Sequence, residues 1–222
     1  MKKLVATILA LSFLTVSSAY AAPSFSIGVS ANYGVFAAEG KQSEYSETGT
    51  LPAITEEYGA FAESYGSVFV EVDLNDTISF GVDYVPSAIV TPENINSSGL
   101  GVGTTAAADT SKVHVDIKDL TTLYAIARLP VGGIYAKVGI SSMDIETNET
   151  QRSGNTYPDS ESDGVMVALG LQKDLDQISI RAEVAGHSYE SVKVDNGKTN
   201  KNEIEVSNMI GATARISLVK SF

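Results

Sequence analysis

The chain has 222 residues, a formal net charge of −12 and no cysteine. This length fits one domain or at most two, and the lack of cysteine excludes a disulfide framework, a thiolate metal site and a cysteine nucleophile. The excess of acidic residues argues against nucleic acid as a partner, because phosphate groups would repel the chain.

The first 22 residues, MKKLVATILALSFLTVSSAYAA, predict an export signal. A basic start at Lys2 and Lys3 precedes an apolar run and then small residues that end at Ala21, which is the order found in cleaved secretory signals. The apolar run is shorter than the roughly 20 residues that a membrane-spanning helix needs. We therefore expect a signal peptide at 1–21 and one domain at 22–222, with a formal charge of −14 once both lysines are removed.

Eight stretches of the remaining chain alternate apolar and polar residues, and each predicts a β-strand with two chemically different faces. In chain order they lie at 24–35, 67–74, 78–85, 112–129, 134–145, 164–172, 178–186 and 205–222. The fourth stretch carries Val113, Val115 and Ile117 on its apolar face and is then interrupted by Asp119 and Thr121. We expect its first half to be bulged or, if the sheet spans a membrane, to project beyond that membrane.

The connections between these strands alternate in length. Long polar connections are predicted at 37–63, 87–111, 146–163 and 190–204. Short turns are predicted around Asn75 and Asp76, at 130–133 and at 173–177. Tight turns between consecutive alternating stretches indicate antiparallel hairpins. The alternation therefore predicts an up-and-down sheet with one elaborate rim and one simple rim.

An antiparallel sheet with one apolar face can close in two ways. A soluble ligand-binding barrel turns its apolar face inward, whereas an outer-membrane barrel turns it toward lipid. The polar positions of these strands are mainly Ser, Gly, Ala and Thr rather than Lys and Glu, and small residues suit a narrow lumen. The predicted fold is all-β: a closed eight-stranded antiparallel up-and-down transmembrane β-barrel. Lys220 is the charged exception on the apolar outward face. A lysine at the rim of the barrel is tolerated there, because its long side chain reaches the polar region beside the lipid tails.

The chain resembles the OmpA, OmpX and opacity-type small outer-membrane barrels of Gram-negative bacteria. The resemblance rests on the leading export signal, the eight alternating strands, the short turns on one side and the terminal Phe222. The resemblance implies residence in the outer membrane, with outer-membrane lipids and lipopolysaccharide as partners. The terminal ISLVKSF is similar to the family's assembly signal, which implies recognition of Ile216, Leu218 and Phe222 by the barrel-assembly machinery.

Several charged residues fall on the predicted inward face at similar depths. They are Glu71, Asp73, Arg128, Lys137, Arg181, Glu183 and Arg215. An isolated charge in a confined lumen is costly, so these groups are expected to form a structural cluster of ion pairs. The alternative is a charged constriction in a narrow channel.

The long connections hold −11 of the expected −14 formal charges, which favours a solvated acidic surface. Asp159, Glu161 and Asp163 precede Gly164 as at the start of a calcium loop, but Gly170 occupies the position of the final glutamate ligand. We therefore predict no metal site and no cofactor.

His187 and Ser188 are the candidate catalytic residues, because some eight-stranded barrels modify lipid A with a His and a Ser. Adjacent strand residues point to opposite faces, so these two cannot form a catalytic pair with each other. His114 has no evident serine partner in the sequence. We therefore predict that the protein is not an enzyme and has no catalytic residue.

Loop length and polarity favour a structural or surface-recognition role, as an adhesin or surface antigen with an extracellular partner. The alternatives are a narrow porin-like channel or hydrophobic-solute conduit, a lipid A-modifying enzyme, and a soluble periplasmic binding protein.

Overall fold

The computed structural model describes residues 23–44, 53–97, 110–150, 157–197 and 202–222. The predicted signal peptide at 1–21 and the central parts of the four predicted long connections lie outside these ranges. Among the residues described, no helix has the length and apolar character needed to cross a bilayer.

The described residues form eleven β-strands. Their bounds are β1 Ser24–Glu44, β2 Ala53–Asp73, β3 Ile78–Tyr84, β4 Ile89–Val90, β5 Asn94–Ser97, β6 Thr110–Arg128, β7 Ile134–Thr150, β8 Ser160–Leu175, β9 Ile178–Tyr189, β10 Val192–Asp195 and β11 Glu203–Ser221. Eight of them correspond to the predicted strands, and the short strands β4, β5 and β10 lie within predicted connections.

The eight long strands close into a ring. Neighbours pair antiparallel in the order β1, β2, β3, β6, β7, β8, β9 and β11, and β11 pairs with β1. A path across paired residues from Glu71 on β2 returns to β2 at Phe61, ten residues along the strand. Eight strands enclose an interior just wide enough for side chains. The predicted closed barrel is confirmed.

The apolar faces of the strands lie on the outside of the barrel. The large exposed residues of this band include Phe25, Ile27, Val29, Val68, Val70, Val138, Ile140, Val165, Val167, Leu169, Val184, Ile216 and Leu218. At mid-height Leu169 is 61% exposed and Ile216 is 64% exposed. Apolar surface of this extent marks contact with lipid or another protein. The orientation contradicts a soluble barrel that turns its apolar face inward.

One end of the barrel, the turn rim, consists of residues 74–77, 129–133 and 176–177. Strand β8 continues to Leu175, so the predicted turn at 173–177 is narrower than expected. Asp176 adopts a φ of 40°, which a two-residue reversal requires of one of its residues.

The opposite end is built from strands that extend past the apolar band, and this projecting rim corrects the predicted loop at 37–63. Strand β1 continues to Glu44, and β2 begins at Ala53 and pairs with it throughout. β11 pairs with β1 as far as Glu203, and β10 pairs with β11. These paired segments form a four-stranded projecting ribbon, which consists of residues 53–60, 37–44, 203–207 and 192–195. Outside a bilayer neither face must be apolar, which explains why the alternation fades there.

A bulge in β6 reverses its inward and outward faces. Lys118 pairs with Asp144 and Thr121 pairs with Ser142, so two residues of β6 oppose one of β7. Asp119 lies in the bulge with a φ of 51°. Ile117 consequently packs inside the barrel, and its predicted place on the outward face is wrong. The predicted interruption at Asp119 is correct.

Candidate functional site: the lumen and its two rims

The best-defined polar contact in the lumen joins Glu71 and Arg181. The guanidinium donates hydrogen bonds of 2.5 and 2.7 Å to the two carboxylate oxygens. Tyr124 donates a further bond of 2.8 Å to the same carboxylate. Both charged side chains are buried, so each depends on the other for compensation of its charge.

Two further pairs lie deeper in the barrel. Lys137 donates a bond of 2.8 Å to Glu183, which also accepts one of 3.0 Å from Tyr135. Arg215 donates bonds of 2.8 and 3.3 Å to Asp83 and lies 3.9 Å from Glu183. We call Glu71, Asp83, Lys137, Arg181, Glu183 and Arg215 the charged layer.

Asp83 is the member that sequence reasoning missed. It lies on the inward face of β3 and is buried. The predicted set contains four cations and three anions, and this imbalance was the available signal, because every buried cation needs a partner.

The remaining predicted pair lies apart from the charged layer, at the turn rim. Arg128 donates a bond of 2.9 Å to Asp73 and another to Ser79, whose hydroxyl in turn bonds Asp73. Ser24 donates a bond of 3.0 Å to the same carboxylate. The structure therefore brings all seven predicted residues into ion pairs, but at different depths rather than at one.

Aromatic rings fill the space around these charges. Lys137 Nζ lies 4.6 Å from the centroid of the Tyr124 ring, and Arg181 lies 5.7 Å from that of Tyr135. Glycine makes room for the rings: a Cβ atom at Gly170 would lie 2.2 Å from the Tyr135 ring, and one at Gly28 would lie 2.1 Å from the Phe69 ring. The layer is thus closely packed as well as paired.

Beyond the charged layer, toward the projecting rim, the lumen contains an apolar layer. Its buried core is Val85, Ile89, Leu120 and Met143, and Phe61, Tyr65, Ile117, Ile145 and Tyr189 pack against it. Val85 and Ile89 belong to the segment that follows β3, which turns into the lumen because Val85 N–H bonds Leu120 C=O and β4 pairs with β6.

The internal cavities show how far the lumen is open. A cavity of about 610 Å³ opens at the turn rim and reaches Arg181. Within the charged layer, beside His187 and Arg215, a cavity of about 10 Å³ has room for roughly one water molecule. The charged and apolar layers together leave no continuous wide path among the described residues.

The side chains of the two candidate catalytic residues point to opposite faces of β9. His187 Nε2 is 3.0 Å from Thr213 Oγ1 inside the barrel, whereas Ser188 is exposed on the outer surface. His114 lies 3.9 Å from Asp116. Within the described ranges, no three potential ligand side chains are grouped to hold a metal ion.

Hydrogen bonds shift the pKa of two titratable groups near the ends of the barrel. Ser179 and Gln172 donate bonds of 2.7 Å to Asp174 at the turn rim and lower the pKa of that carboxyl. Toward the projecting rim, Lys118 donates a bond of 2.5 Å to Glu146, which raises the pKa of the ammonium group.

The predicted assembly residues lie on the outer surface, from Ile216 at mid-height to Phe222 at the turn rim. Ile216, Leu218 and Phe222 are all exposed, and Phe222 N–H bonds Phe25 C=O at 2.8 Å. Lys220 Nζ lies 5.3 Å from the centroid of the Phe222 ring. Recognition of this segment by assembly machinery stays a prediction.

No protein-family model matches the chain, and no curated protein matches it. Among solved structures, the chain is similar to the outer membrane protein OprG from Pseudomonas aeruginosa, with a TM-score of 0.52 at 9% identity over 89% of this chain and 95% of OprG. Outer membrane protein AlkL gives a TM-score of 0.49 at 11% identity over 94% of each chain. Neisserial surface protein A gives 0.42 at 13% identity over 91% of this chain and all of that one. At 9% identity the likeness to OprG shows the fold alone, which is that of an outer-membrane β-barrel.

Proposed function

We propose that this protein is an integral outer-membrane barrel that supports the bilayer and recognises a partner at the cell surface. The turn rim faces the periplasm, and the projecting rim faces the exterior. The outward apolar band contacts lipid, and the acidic connections lie outside the cell. The exposed Leu169 and Ile216 at mid-height support insertion, since their burial in lipid is favourable.

The observation that carries the recognition role is the contrast between the lumen and the projecting rim. The lumen is filled by the charged and apolar layers, whereas the strands β1 and β2 continue past the apolar band into solvent. A filled barrel with one extended rim is suited to display rather than transport. Elements held by a rigid scaffold commonly carry recognition.

Shortening the β1–β2 hairpin tests this role. Replacing 39–58 with an Asn-Gly turn joins Ala38 to Gly59, which are already paired, and leaves the barrel strands intact. We expect the variant to retain the mobility difference between unheated and boiled samples that folded barrels show in gels, and to lose adhesion of expressing cells to host cells or surfaces.

A matched control shortens the β7–β8 connection instead, by replacing 147–158 with the same turn. Unchanged adhesion in the β1–β2 variant would refute recognition through this rim. Absence of the parent chain from outer-membrane fractions would refute the proposed location.

The cavity at the turn rim favours a second candidate, a narrow channel that opens when the two layers rearrange. Conductance across planar bilayers by the purified barrel would support that candidate. Its loss in Lys137→Met or Arg181→Met would place the path through the lumen.

A further inference from the structure

We propose that the free edge of β2 binds an extended, basic polypeptide segment by adding it as a further strand of the projecting ribbon. This inference rests on the proposed recognition function and names the kind of partner. It depends on the strand pairing, on exposure and on the distribution of charge.

The pairing leaves one edge of β2 open. β2 pairs with β1 from Ala53 to Asp73, but on its other side it pairs with β3 only from Val68 onward. Among the described residues, no strand pairs with that side between Ala53 and Ser67. An open edge presents unpaired N–H and C=O groups, which are a template for another strand.

The edge is accessible in its outer part. Every side chain from Ile54 to Ala60 is exposed, and Tyr58 is 79% exposed. This part belongs to the projecting ribbon and lies past the apolar band. A polypeptide in the external medium would therefore reach it without entering the bilayer.

The opposite edge of the ribbon is much smaller. There β10 has only four residues, Val192–Asp195, and includes Lys193. Short edges and edge lysines are two of the means by which proteins prevent strand addition. β2 has neither protection, since its 21 residues contain no lysine or arginine. The two edges of one ribbon therefore differ in their capacity to accept a strand.

The charge of the edge selects a basic partner. Glu56, Glu57 and Glu63 lie along it, and the single basic contact among the described residues is Lys41, 3.8 Å from Glu56. Glu57 and Glu63 make no ion pair with the described residues. Antiparallel addition of a second copy would bring like-charged glutamates together, which is unfavourable, whereas alternating lysines on an added strand would lie on the same face as Glu57 and Glu63.

A peptide-binding experiment tests the inference on the refolded full-length barrel in zwitterionic phosphatidylcholine nanodiscs. The probe is a labelled, end-capped peptide of five Lys-Thr repeats, and binding is followed by fluorescence anisotropy. One control replaces alternate threonines with proline, which keeps the charge but prevents strand pairing. The other control is the Glu-Thr peptide. We expect saturable binding of the Lys-Thr peptide alone, weakened by salt.

Two further measurements separate strand addition from simple charge attraction. The triple variant Glu56→Gln, Glu57→Gln, Glu63→Gln is expected to bind at least tenfold more weakly. The variant Glu203→Gln, Glu205→Gln removes charge from β11 of the same ribbon and is expected to bind almost normally. Hydrogen exchange is expected to slow at amides of 53–61 and not at those of 192–195.

Equal binding of the proline-containing peptide, or no protection of 53–61, would overturn the inference. A peptide-free dimer that protects the same amides would overturn it in favour of a second copy. If the β1–β2 hairpin is needed for adhesion and the triple variant still adheres, the proposed function stands and the basic strand partner is wrong. If the peptide binds as expected and cells that express the parent chain do not adhere, the basic strand partner stands and the proposed function is wrong.

Discussion

The charged layer and the apolar layer lie in the same lumen and fill it by different physical means. In the charged layer, buried ions depend on partners fixed by strand register, as in the Glu71–Arg181 pair. In the apolar layer, Ile89 and Leu120 fill volume and need no particular partner atom. The charged layer is therefore sensitive to the loss of one group, and the apolar layer to the loss of volume.

The largest effect is expected when one ion of the charged layer is removed. Arg181→Leu leaves the buried Glu71 carboxylate with only the Tyr124 hydroxyl as a donor among the contacts described above. We expect a loss of about 3–5 kcal/mol in the free energy of unfolding. Urea unfolding in lipid vesicles, followed by tyrosine fluorescence, measures it.

The double variant Arg181→Leu, Glu71→Gln should recover much of that loss, because no uncompensated charge remains. Lys118→Gln is the matched control in an exposed ion pair and should cost far less than Arg181→Leu, because water screens an exposed pair. If Arg181→Leu cost no more than the control, the dependence on paired ions would be wrong.

A smaller effect is expected from crowding the charged layer without altering charge. Gly170→Ala places a methyl group against the Tyr135 ring, which bonds Glu183. We expect a loss of about 1–3 kcal/mol in the same unfolding assay. Gly186→Ala is the control, because a Cβ atom there meets no atom of the described residues within 4 Å. Equal stability of the two variants would show that the rings have room to move.

The apolar layer should respond more mildly to a conservative change. Ile89→Val removes one methylene group from a residue that is 1% exposed. We expect a loss of about 0.5–1.5 kcal/mol, with no dependence on pH. A loss as large as that of Arg181→Leu would contradict the distinction between the two layers.

The smallest effect is expected at the turn rim, where Asp174 is exposed. Its lowered pKa means that the ionised carboxylate stabilises the fold above about pH 4, the ordinary range of an aspartate, and that this stabilisation disappears as the pH falls through the lowered value. Asp174→Asn should slightly destabilise the barrel at pH 7 and match the parent once the pH has fallen below the lowered pKa of Asp174. A difference that persisted in acid would exclude the charge as its cause.

The sequence predicts the barrel well because lipid imposes a strict alternation. The outward Val70, Leu169 and Ile216 follow from period two alone, since lipid contact requires one uninterrupted apolar face. The pairing of Glu71 with Arg181 does not follow, because it depends on the stagger of strands that are distant in sequence. The inward position of Asp83 does follow from the alternation of β3, but its pairing with Arg215 depends on the same stagger.

The extension of β1 and β2 escaped prediction because the constraint changes past the apolar band, and the effect of the predicted interruption in β6 on Ile117 escaped prediction as well. β1 and β2 extend into solvent as far as Glu44 and Ala53, where a charged strand and a polar loop have similar sequences. At Asp119 one additional residue reverses the faces of β6, so a correct alternation gives the wrong side for Ile117. The apolar periodicity of a strand shows which residues share a face, but it does not show how many residues a bulge inserts.

The irregularities near the outer end of the barrel have an engineering consequence. The register of β1 against β11 shifts between Ala37 and Glu39, and Asn208 on the opposing strand has a φ of 51°. Foreign hairpins grafted beyond these positions would be attached to the paired strands β1 and β11 and would leave the interior packing unchanged. The molecule would then serve as a carrier on which epitopes are exchanged at one end while the other end keeps its shape.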